Sequence, residues 1–182
     1  MKDRKRVVED IFNEFKEKHK LSASLSFELP KEFSGAFGMF DVTKNVLYVN
    51  NNENVNYVRL IFSFFHELRH ALQYNFPEKF SDNIQKTLPF VVHFDGNCYM
   101  LKNEEWCHCQ LKNEKFNYME VYKNFPYEID ANNFAYQQSK AILKDENLQE
   151  LDVIYNNSMP NNKMEERFIL DICEMIKFKI EN

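Results

Sequence analysis

In the run Phe62, Ser63, Phe64, Phe65, His66, Glu67, Leu68, Arg69, His70, two histidines stand four residues apart, with a glutamate directly after the first. On a helix both imidazoles fall on one face, one turn apart, and can reach a single tetrahedral metal. Glu67 is displaced toward the side where a metal-bound water would sit. Residues of these types at this spacing suit zinc-assisted hydrolysis, with His66 and His70 as ligands and Glu67 as general base. The bland alternative is a coincidental pair of helix histidines. The apolar residues just before the motif weigh against it, because ionisable groups buried there are costly unless paired or metal-bound.

A catalytic zinc takes a third protein ligand and keeps a fourth position for water. The candidates are Glu128, Asp130, His93, His108 and the Cys107/Cys109 pair. Glu128 leads them: on a helix it shares a face with Ala131, Asn132, Ala135 and Ser139, all small or short, and such a ridge lets one helix lie close to another. Asp130 points about 200° away around that helix. Asn132, one turn on, is placed to accept a hydrogen bond from a ligand imidazole and fix its tautomer. Against this stands a solvated acid at a helix start, stabilised by the dipole. For a donor to a developing oxyanion, Tyr127, Tyr136 and His93 are open alternatives. Cys107, His108 and Cys109, beside Trp106, raise a second metal site, but that spacing is not a usual zinc knuckle and Cys98 would have to join. Ordinary reduced cysteines in a strand or loop are the favoured reading.

These residues need elements to position them. Val7, Val8, Ile11, Phe12 and Phe15 at helical spacing predict an amphipathic first helix over residues 5–20, with His19 at its surface end. A strand is expected at 24–29 and a hairpin over 35–50, turning around Asp41 to Asn45. Residues 55–76 are too long and apolar for a strand, so they predict a largely buried helix carrying the motif and ended by Pro77. Residues 78–123 suggest a helix from Ser81 and short strands near Phe90–Phe94 and Cys98–Lys102. A helix is expected to start near Asn124 as N-cap, with Pro126 in its first turn, and to run to about Leu143. A last helix closes the domain between residues 162 and 180.

The chain of 182 residues, 44% hydrophobic with 18 Phe and 9 Tyr, is expected to form a single α+β domain: a small N-terminal sheet, a buried motif helix and a later glutamate-bearing helix. A net charge of -5 argues against general nucleic-acid affinity, and Lys2, Arg4, Lys5 and Arg6 are followed by enough acids to read as a solvated helix face. No apolar run has the length of a membrane span, and the N-terminus lacks a signal-peptide core, which predicts a cytoplasmic protein with reduced Cys98, Cys107, Cys109 and Cys173.

His66–Leu72 (HELRHAL) followed by residues 126–135 (PYEIDANNFA) resembles the gluzincin-type zincins. A hairpin, an HExxH helix and a later E-x-x-A-[DN]-x-x-A helix are together similar to the ImmA/IrrE-type metallopeptidase domain. The resemblance covers roughly residues 35–76 and 124–138. It implies a zinc metallopeptidase with one Zn2+ per chain, acting on a peptide or protein substrate, with Glu128 as third ligand and Asn132 as a partner behind the ligands. It also implies that residues 45–49 or 36–40 form a sheet edge to which an extended peptide adds. Two other classes remain: a zincin-like scaffold that binds a protein partner without hydrolysis, which the presence of Glu67 disfavours, and a metal-free helical interaction protein.

Overall fold

The computed structural model describes residues 3–182, so Lys2 of the N-terminal basic cluster lies outside the described residues. The fold is α+β, with two three-stranded sheets. The chain divides into two compact units: one is formed by the chain up to Phe76 with Ala131–Asn156, the other by Pro77–Asp130 with Asn157–Asn182.

In the first unit, helix α1 (Arg4–His19) is capped by Asp3, whose side chain accepts from the Lys5 N–H, and buries Val8 and Phe12. The sheet contains β1 (Ser24–Ser26), β2 (Gly38–Asp41) and β3 (Val46–Val49) in the order β1-β3-β2. The hairpin expected at 35–50 is therefore present, and β3 pairs antiparallel with β2 and parallel with β1. Its turn is held by the Asp41 carboxylate, which accepts from the Thr43 and Lys44 N–H groups, and by Asn45 in the left-handed region. Only the first half of the predicted strand at 24–29 is extended.

Helix α2 (Tyr57–Asn75) packs against β2 and β3. Asn56 caps it by accepting from the Arg59 N–H at 2.8 Å, and it ends one residue before Phe76 and Pro77. Phe64 and Phe65 are almost wholly buried, each contributing roughly 1.5–3 kcal/mol relative to an exposed ring.

In the second unit, α3 (Asp82–Thr87) precedes an antiparallel sheet of β4 (Phe90–Val92), β5 (Asn97–Lys102) and β6 (Glu105–Gln110), then α4 (Tyr118–Lys123). The last helix, α7 (Glu166–Glu181), buries Ile169, Ile172, Cys173 and Ile176 and packs on β5, β6 and α3. The short strands expected near Phe90–Phe94 and Cys98–Lys102 are present as β4 and β5, whereas β6 and α4 had no counterpart in the sequence reading.

Helix α5 (Pro126–Ile142) opens on Pro126, where the missing N–H costs nothing. Asn124 is not its N-cap: its amide donates to the Glu120 and Asn162 carbonyls and its oxygen accepts from the Met164 N–H. The Phe125 carbonyl accepts the N–H groups of Glu128 and Ile129 instead. Helix α6 (Leu148–Ser158), which the sequence reading missed, buries Leu151 and Ile154. Among the described residues no helix is long and apolar enough to cross a membrane.

Candidate metal centre

Apolar packing fixes the orientation of the HExxH segment. Leu68 and Ala71 are fully buried, so the α2 face that carries them turns inward, while His66 is half-buried and His70 buried. Arg69 lies over the ring of Phe134 at 4.8 Å, a cation–π contact that keeps this charge beside the helix.

The histidine pair is aligned as the spacing predicts. The His66 and His70 Nε2 atoms are 2.9 Å apart, and their rings stand nearly perpendicular with centroids at 4.5 Å. Each Nδ1 has an amide oxygen 2.9 Å away: Asn132 Oδ1 for His66 and Gln73 Oε1 for His70. An amide oxygen can only accept, so each Nδ1 carries the proton and each Nε2 presents a lone pair toward the other. Two lone pairs at that distance repel unless a cation or proton lies between them.

Glu128 is buried in the first turn of α5, and Asn132 is buried one turn later on the same helix. Since Asn132 is bonded to His66, the rigid turn between them fixes where Glu128 stands. One ligand atom each from His66, His70 and Glu128 lie within 4.8 Å of one another, and this is the one cluster of three or more such residues found among the described residues. Two imidazole nitrogens and one carboxylate oxygen suit a zinc with three protein ligands and an open position, so the donor set fits that metal.

The other candidates are placed elsewhere. Asp130 is outside the cluster. His93 and His108 are exposed on the second sheet, on either side of Tyr99 at 5.1 and 5.0 Å. The hydroxyl of Tyr127 is buried and donates to the Phe90 carbonyl at 2.8 Å, while that of Tyr136 donates to Asp152 at 2.7 Å. Both tyrosines are thus engaged in holding the fold. Cys98, Cys107, Cys109 and Cys173 form no disulfide. Burial pushes the Cys98 and Cys173 thiols up to about 12, which leaves them inert as ligands or nucleophiles at neutral pH.

Gln73 is the participant that sequence reasoning missed. It lies three residues after His70 and is fully buried. The signal was local, since a residue at that offset faces the preceding histidine across one helical turn.

The chain matches no protein-family model, and searches of curated proteins and of solved structures find no match.

Proposed function

We propose that this chain is a zinc-dependent peptidase of the gluzincin type, similar to the ImmA/IrrE-type metallopeptidase domain. The observation that carries this reading is the convergence of the His66 and His70 Nε2 atoms and a Glu128 oxygen, with Glu67 adjacent on the same helix. When bound, zinc supplies Lewis acidity that brings a water pKa to about 7 and polarises a carbonyl. Glu67 takes the proton of the attacking water and delivers it to the leaving amine. Asn132 and Gln73 hold the imidazoles in the tautomer that leaves both Nε2 atoms available.

A substrate strand has a natural seat. In the sheet order β1-β3-β2, β3 is central and β2 is an edge. The Asn50 N–H donates to the Phe37 carbonyl, so with the β2–β3 register Phe37, Met39 and Asp41 point their backbone groups at β3. Gly38 and Phe40 point theirs at the open edge, where an extended peptide adds by backbone pairing.

Metal analysis of the purified protein tests the premise. One zinc per chain is expected, with sharp loss in His66→Ala and His70→Ala; unchanged zinc in both variants removes the reading. Glu67→Gln should keep its zinc while cleavage of an unstructured protein substrate falls by a factor on the order of a hundred or more. Zinc bound without any cleavage by the parent would favour the partner-binding scaffold instead.

A further inference from the structure

Gly38 sits at the start of an edge strand, where a glycine packs nothing and raises the entropic cost of folding. Backbone conformation does not require it: of the three glycines only Gly96 has a positive φ. Space does. A Cβ at Gly38 would stand 2.8 Å from Glu67 Cγ, 3.5 Å from Glu67 Oε1 and 3.2 Å from the Tyr48 carbonyl oxygen. The Tyr48 oxygen belongs to the central strand β3, which is paired on both sides, so it cannot retreat without breaking the sheet. Any side chain at position 38 must therefore displace Glu67.

We infer that Gly38 is a positioning residue for Glu67: its missing side chain lets the Glu67 stem lie flat against β2 and so fixes where the carboxylate stands. The inference rests on the peptidase reading for its catalytic consequence. Gly38 also turns its N–H and C=O toward the open edge of β2. The residue that seats the base is thus the one that offers backbone partners to an incoming peptide, which ties the register of the substrate strand to the position of the proton acceptor. A one-residue slip of that strand would change which peptide bond meets Glu67.

Gly38→Ala tests this, with Gly35→Ala as control, because a Cβ at Gly35 meets nothing within 4 Å. Gly38→Ala should retain one zinc per chain and a KM within a few-fold of the parent, while kcat falls on the order of a hundredfold, the effect of moving a reacting group by about 1 Å. Gly35→Ala should match the parent. In the Glu67→Gln background Gly38→Ala should cause no further loss. A readout independent of catalysis is thermal stability: Gly38→Ala should lower Tm clearly more in the parent than in Glu67→Ala, where only the 3.2 Å approach to the Tyr48 oxygen remains. Parent-like kcat in Gly38→Ala, or an equal drop in Tm in both backgrounds, overturns the inference. If Gly38→Ala does not fold, the Gly38→Ala/Glu67→Ala double variant must fold, and its failure to do so has the same consequence. Absence of zinc and cleavage in the parent would count against the peptidase reading alone, since the stability comparison still decides the contact.

Discussion

A histidine coordinates metal through one nitrogen only if something fixes the proton on the other, and here two side-chain amides do so by different routes. Asn132 comes from α5, and its place behind a ligand imidazole was legible in the sequence because it follows Glu128 by one turn; that the imidazole is His66's is given by the fold. Gln73 comes from the same helix as its histidine, and it was not legible because a glutamine three residues after a histidine is common on helices that hold no metal. Both should matter to similar degree. Asn132→Ala and Gln73→Met, the latter chosen to keep the buried volume filled, are each expected to weaken zinc binding tenfold to a hundredfold in competition with a chelator. Glu128→Ala should lose most affinity and Asp130→Ala should keep it. Parent-like affinity in Gln73→Met would show that the His70 tautomer is set elsewhere; retained zinc in Glu128→Ala would remove it from the ligand set.

Elements with strong periodicity were legible: α1, α2 and α7 each lie within a few residues of their expected bounds, because one-sided burial writes a helical period into the chain. Short elements were legible only in part: strands were expected near Phe90–Phe94 and Cys98–Lys102, where β4 and β5 lie, but the six-residue α4 has no pattern of its own. Asn124 shows why the cap of α5, rather than its start, was misassigned. An asparagine before a Pro-containing helix has the signature of an N-cap, yet here it ties α4 to the segment before α7, together with Glu120. Burial alone would raise the Glu120 carboxyl, but hydrogen bonds from the Asn162 N–H and from the Asn161 side chain and N–H, with the nearby charge of Lys123, outweigh it and hold it below the usual glutamate value. A carboxyl whose pKa is lowered on folding contributes stability above its unfolded value and loses it as pH falls through the folded one. Thermal melts under chelator from neutral pH into acid should therefore show Glu120→Gln less stable than the parent at pH 7, with the difference shrinking below the ordinary glutamate range. A difference that stays constant into strong acid would assign the network's contribution to shape rather than charge.

At the scale of the whole molecule, what the sequence displayed was a motif, and what folding adds is the convergence of residues far apart in the chain. His66 and His70 announce themselves because a helix makes residues four apart into neighbours. Glu128 could be weighed only against Asp130, His93, His108 and the cysteines, because nothing local says which distant side chain arrives; the geometry selects it. Such a site is assembled in the folded chain alone, so under the proposed function zinc would bind the native state far better than the unfolded one, and its binding energy would become folding energy. At free zinc a thousandfold above Kd, linkage gives about 4 kcal/mol. In a chain of this length, that corresponds to a Tm higher by roughly 8–16 °C in zinc than under chelator, at about 2–4 °C per kcal/mol. The shift should be absent in His66→Ala and Glu128→Ala, and it should persist in Glu67→Gln, whose side chain is proposed to serve proton transfer rather than coordination. Calorimetric scans of the four proteins, with zinc and with chelator, check this. A parent Tm that ignores zinc would mean that the three donors do not close on a metal, while loss of the shift in Glu67→Gln would make Glu67 a structural partner of the site instead of its base.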